Sequence, residues 1–271
     1  MRPIGSGNLC EDFIAKAKQT WNRIKLSALW GMSIFEETIT DINLLDLQIN
    51  HPNEITTKKF KKNEEARIGA DWEWWIGSDD FWLPLRVQAK IVDPTTLRYP
   101  HLGYKSPNSP LRQIDLLIKY SLNDTPPRIP IYVFYNYWNV NRFDPPWLCC
   151  SYSKSLEMIG CGISEAISVK TILDQHSDMV KDIANIMYPW NCVVCCKGFF
   201  TENEKLPFRA FNFFSGAFGK RITETDFPSY KMEKFVRKGA PRYIYKILKG
   251  EELSVDEWKE IVVSRITIIN V

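Results

Sequence analysis

Histidine is scarce in this chain of 271 residues, and its three copies, His51, His101 and His176, stand far apart. No His-x-His or His-Glu-x-x-His spacing occurs, which tells against metal or triad chemistry built on histidine. Equally missing are Gly-x-Ser-x-Gly, a phosphate-cradling glycine loop and a dinucleotide fingerprint. Net charge is small as well: 35 basic residues against 32 acidic ones leave +3, so any surface that grips phosphate must be local. No run approaches the roughly 18 apolar residues of a membrane span. The opening residues Met1 to Gly7 lack the apolar core of a secretory signal. A soluble, cytoplasmic protein with no membrane partner is the expectation.

Cysteine is present in an odd number, at Cys10, Cys149, Cys150, Cys161, Cys192, Cys195 and Cys196, mostly among apolar neighbours. Reduced, buried thiols explain such a set. Cys192-x-x-Cys195-Cys196, with Cys149-Cys150 and Cys161, also admits a zinc site by tertiary convergence. Residues 192 to 196 read instead as an apolar strand without the glycine-rich turn of a zinc knuckle, which favours plain thiols.

What the chain does have is core-forming material, 45% hydrophobic and 13% aromatic. A helical apolar recurrence through Leu29, Trp30, Phe35, Ile39, Ile42 and Leu45 predicts one long helix from Ser27 to about Leu47, ended by His51-Pro52-Asn53. Ile55 to Lys61 reads as an exposed strand, followed by a charged turn around Asn63-Glu64-Glu65. Ala70 to Ile76 and Leu83 to Val92 form a hairpin about Gly77-Ser78-Asp79-Asp80. Ser109-Pro110 predicts a helix start after the loop from Pro94 to Asn108. The almost wholly apolar Ile129 to Tyr137 predicts a strand covered on both faces, with a parallel neighbour.

Further on, Ala166 to Val169 and Trp190 to Cys196 read as strands, with a helix from about Thr171 to Met187 between them. Phe208 to Phe218 and Tyr230 to Val236 read as helical pieces. The fold class is α/β, with a core in residues 1 to 145 and an extension in 146 to 271 packed on it as one domain.

Alternation in the hairpin puts Asp71, Glu73 and Trp75 on one face and Trp72 and Trp74 on the other, while Gln88 and Lys90 share a side of the returning strand. A carboxylate, an amide oxygen and the carbonyl of Ala89 are hard oxygen donors of the kind Mg²⁺ takes, the remaining positions going to water. Lys90 lies within reach of an attacking water or a phosphate and can stabilise developing charge. Glu73, one pleat from Asp71, is either a second ligand or a partner of Lys90. Trp72, Trp74, Trp75 and Trp82 read as core before base-stacking platforms. The basic clusters Lys58-Lys59, Lys61-Lys62 and Lys231 to Lys249 read as solvated surface before a DNA path.

Gly69-Ala70-Asp71, Gln88-Ala89-Lys90 and the order helix, strands, helix, strand resemble the PD-(D/E)xK nuclease superfamily, and more closely its Mrr-type branch, in which glutamine replaces the second carboxylate. The likeness covers roughly residues 27 to 140. It departs from the pattern at Ala70, where the superfamily has its proline, and at Gln88, which carries one negative charge fewer. The chain also resembles a bacterial family that shares Ala70 to Trp75, Gln88 to Lys90 and Tyr135-Asn136, with Tyr188-Pro189-Trp190 and the cysteines behind it.

The superfamily resemblance implies a restriction-endonuclease-like αβββαβ core and a Mg²⁺- or Mn²⁺-dependent endonuclease acting on DNA, in prokaryotic defence or mobile-element biology. It implies metal ligands at Asp71 and Gln88, helped by Glu73, with Lys90 beside them. It implies a glutamate from the first helix, Glu36 or Glu37, of which Glu37 is preferred because it shares a ridge with Trp30 and Leu44. It further implies a polar residue, Gln113, aimed at the site from the helix after the motif. A homo-oligomer is left open. The rival reading is an inactive nuclease-fold module that binds nucleic acid or a partner protein.

Overall fold

The computed structural model describes residues 8–60, 68–105, 109–149, 151–199, 204–218 and 231–271. Two helices open the chain, α1 (Leu9–Leu29) and α2 (Glu36–Asn50), followed by strands β1 (Ile55–Lys59), β2 (Trp72–Ser78) and β3 (Phe81–Ile91), helix α3 (Gln113–Asn123) and strand β4 (Ile129–Tyr135). Next come β5 (Cys161–Glu165), α4 (Ala166–Asp174), α5 (Val180–Ile183), β6 (Tyr188–Pro189) and α6 (Cys192–Cys195). The chain continues through α7 (Leu206–Phe218), α8 (Met232–Phe235), β7 (Arg237–Lys238), α9 (Arg242–Lys249), α10 (Val255–Glu260) and β8 (Arg265–Asn270).

The strands make one mixed sheet in the order β1-β8-β2-β3-β4-β5-β6, with β7 paired to the start of β3. Helices flank it, and the fold is mixed α/β as expected. No helix among the described residues is long and apolar enough to cross a membrane.

The hairpin forms where alternation places it. Ser78 faces Phe81 across Asp79 and Asp80, and both aspartates take positive φ, 45° and 67°. That is the two-residue geometry whose twist matches the strands it joins. Trp72, Trp74 and Trp75 are all buried, so the tryptophans are core. β4 is buried along its whole length and runs parallel to β3 on one side and antiparallel to β5 on the other. Asn136 closes β4, accepting from the Tyr99 hydroxyl at 2.6 Å and donating to the carbonyl of Ile159 at 2.7 Å.

Several expectations are corrected. The single helix from Ser27 to Leu47 is two helices: α1 ends at Leu29, Gly31 takes φ of 64°, and α2 starts afresh at Glu36. The turn leaves Leu29, Trp30, Met32 and Phe35 exposed. α1 itself, with Phe13, Ala17, Trp21 and Ile24 buried on one face, lies mostly upstream of the residues read as helical and meets them only from Ser27 to Leu29. Helix α3 begins at Gln113, where the Asp115 carboxylate accepts from the Arg112 N–H, not at Ser109-Pro110.

Ala166 to Val169 is the first turn of α4, the strand being Cys161–Glu165 just before it. The helix expected from Thr171 to Met187 stops at Asp174, near His176 with φ of 62°. Residues 192 to 196 are a single helical turn, closed by Cys195 N–H to Asn191 C=O at 3.0 Å.

Cys10 and Cys195 form a disulfide, which removes two of the expected thiols. β1 does not neighbour β2: β8 from the C-terminus lies between them, antiparallel to β1 and parallel to β2. The readings at Met1 to Gly7, Asn63 to Glu65, Lys61-Lys62, Asn108, Cys150 and Tyr230 lie outside the described residues.

Candidate functional site

Register in the hairpin sets the site. Glu73 stands opposite Arg86 and Trp72 opposite Val87, so one step back along β2 brings Asp71 to Gln88. The period of two sends Arg86, Gln88 and Lys90 to the same side of β3. Asp71 Oδ2 accepts from Gln88 Nε2 at 2.7 Å and from the Ala89 N–H at 2.8 Å. Gln88 Nε2 also donates to the Ala89 carbonyl at 3.0 Å. Gln88 Oε1 is buried without a hydrogen-bond partner among the described residues. Such an orphan costs about 1–3 kcal/mol, so it calls for an explanation.

The N-terminus of α2 meets the end of β3. Glu36, its first residue, accepts from the Ile91 N–H, and its Oε1 lies 3.9 Å from Lys90 Nζ. Its Oε2 is buried without a hydrogen-bond partner among the described residues. Burial raises the Glu36 carboxyl to about 7; Lys90 opposes the rise, and the negative charge of Asp71 adds to it. Glu36, not the preferred Glu37, is therefore the helix acid drawn to the site. Glu37 is exposed. The ridge that favoured it assumed an unbroken helix from Ser27, and with α2 starting at Glu36 that phase does not exist. A hollow of about 430 Å³ lined by Ile34, Phe35, Glu36, Glu37, Thr38 and Ile91 opens here.

Glu73 is on the expected face but is committed elsewhere. Its Oε1 lies 2.9 Å from Arg86 Nη2 and 2.8 Å from Arg128 Nε, while Oε2 accepts from Trp75 Nε1 at 3.0 Å. Burial alone pushes this carboxyl up, but the charges of Arg128 and Arg86 outweigh it and hold the group below the ordinary value. With both oxygens occupied in the interior, Glu73 is a structural counter-ion, neither metal ligand nor partner of Lys90. Asp124 extends the network, accepting from Arg86 at 2.6 Å and Arg128 at 2.7 Å.

Gln113 opens α3, which abuts the segment leading into Asp71: a Cβ at Gly69 would lie 2.3 Å from the Gln113 carbonyl oxygen. Among the described residues the Gln113 side chain makes no hydrogen bond to Asp71, Gln88 or Lys90. Sequence reasoning missed Tyr132, which stands beside Gln88 across the parallel β3–β4 register. Its hydroxyl is buried without a hydrogen-bond partner among the described residues, and burial, then the charges of Asp71, Asp115 and Glu36, raise it above the ordinary tyrosine value. The alternation of β4 read against that of β3 was the signal available.

The four side chains Glu36, Asp71, Gln88 and Lys90 thus gather at one end of β3, combining two carboxyls, an amide and an ammonium. The carboxylate and amide oxygens of this set are ligands of the kind a hard divalent cation takes, and the ammonium is a positive charge beside them. The family model described as "Family of unknown function (DUF6615)" matches residues 9–270. No curated protein matches the chain.

Proposed function

The chain belongs to that family, and from this premise and the site we propose that it is a metal-dependent endonuclease hydrolysing DNA phosphodiester bonds. The observation that carries the reading is the gathering of Glu36, Asp71, Gln88 and Lys90 with two buried oxygens, Glu36 Oε2 and Gln88 Oε1, that have no hydrogen-bond partner among the described residues. Asp71, Gln88, Glu36 and the Ala89 carbonyl would hold Mg²⁺ or Mn²⁺. When bound, the ion supplies positive charge to phosphate oxygens and acidifies a water.

The chain's own groups do the rest. Asp71 is fixed by the Ala89 N–H, so its carboxylate is already oriented. Lys90 brings a positive charge to the same end of β3, where it can stabilise charge building on the phosphate or orient the attacking water. Tyr132, fully buried and next to Gln88 in the strand register, would close the site toward the sheet. Glu36, whose carboxyl is raised to about 7, would give up its proton as an ion binds and add a second carboxylate to the ligand set.

A second reading has one observation in its favour. Gln88 Nε2 touches both Asp71 Oδ2 and the Ala89 carbonyl, two of the oxygens a cation needs. A chain that keeps this amide contact is a nuclease-fold module that binds without cutting; one that turns the amide over presents Oε1 and frees both oxygens.

Incubation of supercoiled plasmid with purified protein and Mg²⁺, beside Asp71→Ala, Lys90→Ala and Glu37→Gln, separates the two. Hydrolysis predicts nicking by the parent and Glu37→Gln, with a loss of about 100-fold or more in Asp71→Ala and Lys90→Ala. Equal residual cleavage in all four, or none in the parent, rejects it.

A further inference from the structure

Cys149, Cys192 and Cys196 converge from separate parts of the chain, their three Sγ atoms all within 4.8 Å of one another and all buried. Cys149 lies in the segment after β4, whereas Cys192 and Cys196 belong to the turn of α6 and its C-cap. The Cys149 sulfur lies against those of Cys192 and Cys196 and close to the backbone N–H groups of Ser151 and Tyr152. The Ser151 hydroxyl points at Cys196 Sγ at 3.7 Å. Cys161 shows how a core thiol outside the cluster behaves in the same protein: it sits at 3.4 Å from the Thr20 hydroxyl and 3.5 Å from the Asn43 amide. The disulfide ties up Cys10 and Cys195 and leaves this group of three intact.

We propose that Cys149, Cys192 and Cys196 form a structural binding site for a thiophilic divalent cation of the zinc type, stapling the segment after β4 to α6. Sulfurs bound at about 2.3 Å to one tetrahedral ion sit about 3.8 Å apart, within the observed spread. On binding, the three S–H groups lose three protons to solvent, and three thiolates with Zn²⁺ carry one net negative charge. The N–H groups of Ser151 and Tyr152 face that charge, as donors around ligating thiolates do. The fourth position would fall to a ligand outside these three sulfurs. The site is independent of the nuclease reading, since none of its residues belongs to the group around Asp71.

The test is metal content and Co²⁺ substitution of the full chain. About one zinc per chain is expected by elemental analysis, and Co²⁺ should give thiolate-to-metal charge-transfer bands in the parent and in Cys161→Ser. Cys149→Ser and Cys192→Ser should each weaken Zn²⁺ binding by more than about 100-fold, and chelation of the parent should lower its Tm. The Co²⁺ spectrum needs no variant to fold. Absence of the charge-transfer bands in the parent overturns the proposal, as does zinc uptake equal in the parent and in a chain with all three cysteines changed to serine.

Discussion

Glu36 is the residue whose protonation says most about the site. Its carboxyl is raised to about 7 from 4.5, so between those values the folded chain holds a proton that the unfolded chain has released. Stability therefore falls as pH rises through that window. Glu36→Gln removes the titration, and its Tm relative to the parent should climb between about pH 5 and about pH 8. An offset that stays constant would contradict the assigned environment. A cation must displace the same proton, so Mg²⁺ affinity of the parent should rise across pH 7.

Glu73 makes the opposite prediction. Removing its charge strands Arg86 and Arg128 in the interior, and Glu73→Gln should cost about 3–5 kcal/mol in urea unfolding. A loss under about 1 kcal/mol would mean that the pair is not truly desolvated. Alternation alone put Glu73 beside Asp71, which was correct. Its role depended on Arg128, which lies just before β4 and which no pattern in the hairpin could bring to it.

At the scale of elements, the hairpin and β4 were legible because their signals are local. Strict alternation and the Asp79-Asp80 turn fix the first, and an unbroken apolar run fixes the second. The α1–α2 break was not legible, since Gly31 is one residue inside an apolar recurrence, and Leu29, Trp30 and Phe35 turn out exposed. That miss moved the helix acid from Glu36 to Glu37. The turn at Cys192 was misread because β-branched and cysteine residues favour strands, whereas the backbone closes on Asn191.

Gly69 offers a test at this scale. It holds φ of 72° directly before Ala70-Asp71, and an added Cβ would collide with the Gln113 carbonyl. Gly69→Ala should destabilise the fold by about 1–3 kcal/mol and weaken divalent-ion binding more than a surface Gly→Ala change such as Gly250→Ala. Unchanged ion binding would show that α3 does not position Asp71.

Across the whole molecule, the last strand decides the architecture. β8 pairs with both β1 and β2 inside the sheet, and the Cys10–Cys195 disulfide spans 185 residues. Neither contact leaves a local trace, which is why residues 146 to 271 read as an extension of a core to which they contribute an interior strand. Deleting residues 261 to 271 should therefore abolish cooperative thermal unfolding, because it opens the edges of β1 and β2 together. Calorimetry of that truncated chain showing one sharp transition would contradict the role of β8.

The oxygen cluster is the foundation of the functional reading, and Mn²⁺ titration followed by electron paramagnetic resonance measures it without any substrate. One tightly held ion per chain is predicted, lost in Asp71→Ala and Glu36→Gln but kept in Glu37→Gln. A parent that binds no Mn²⁺, or an Asp71→Ala chain that binds it equally well, would contradict the account.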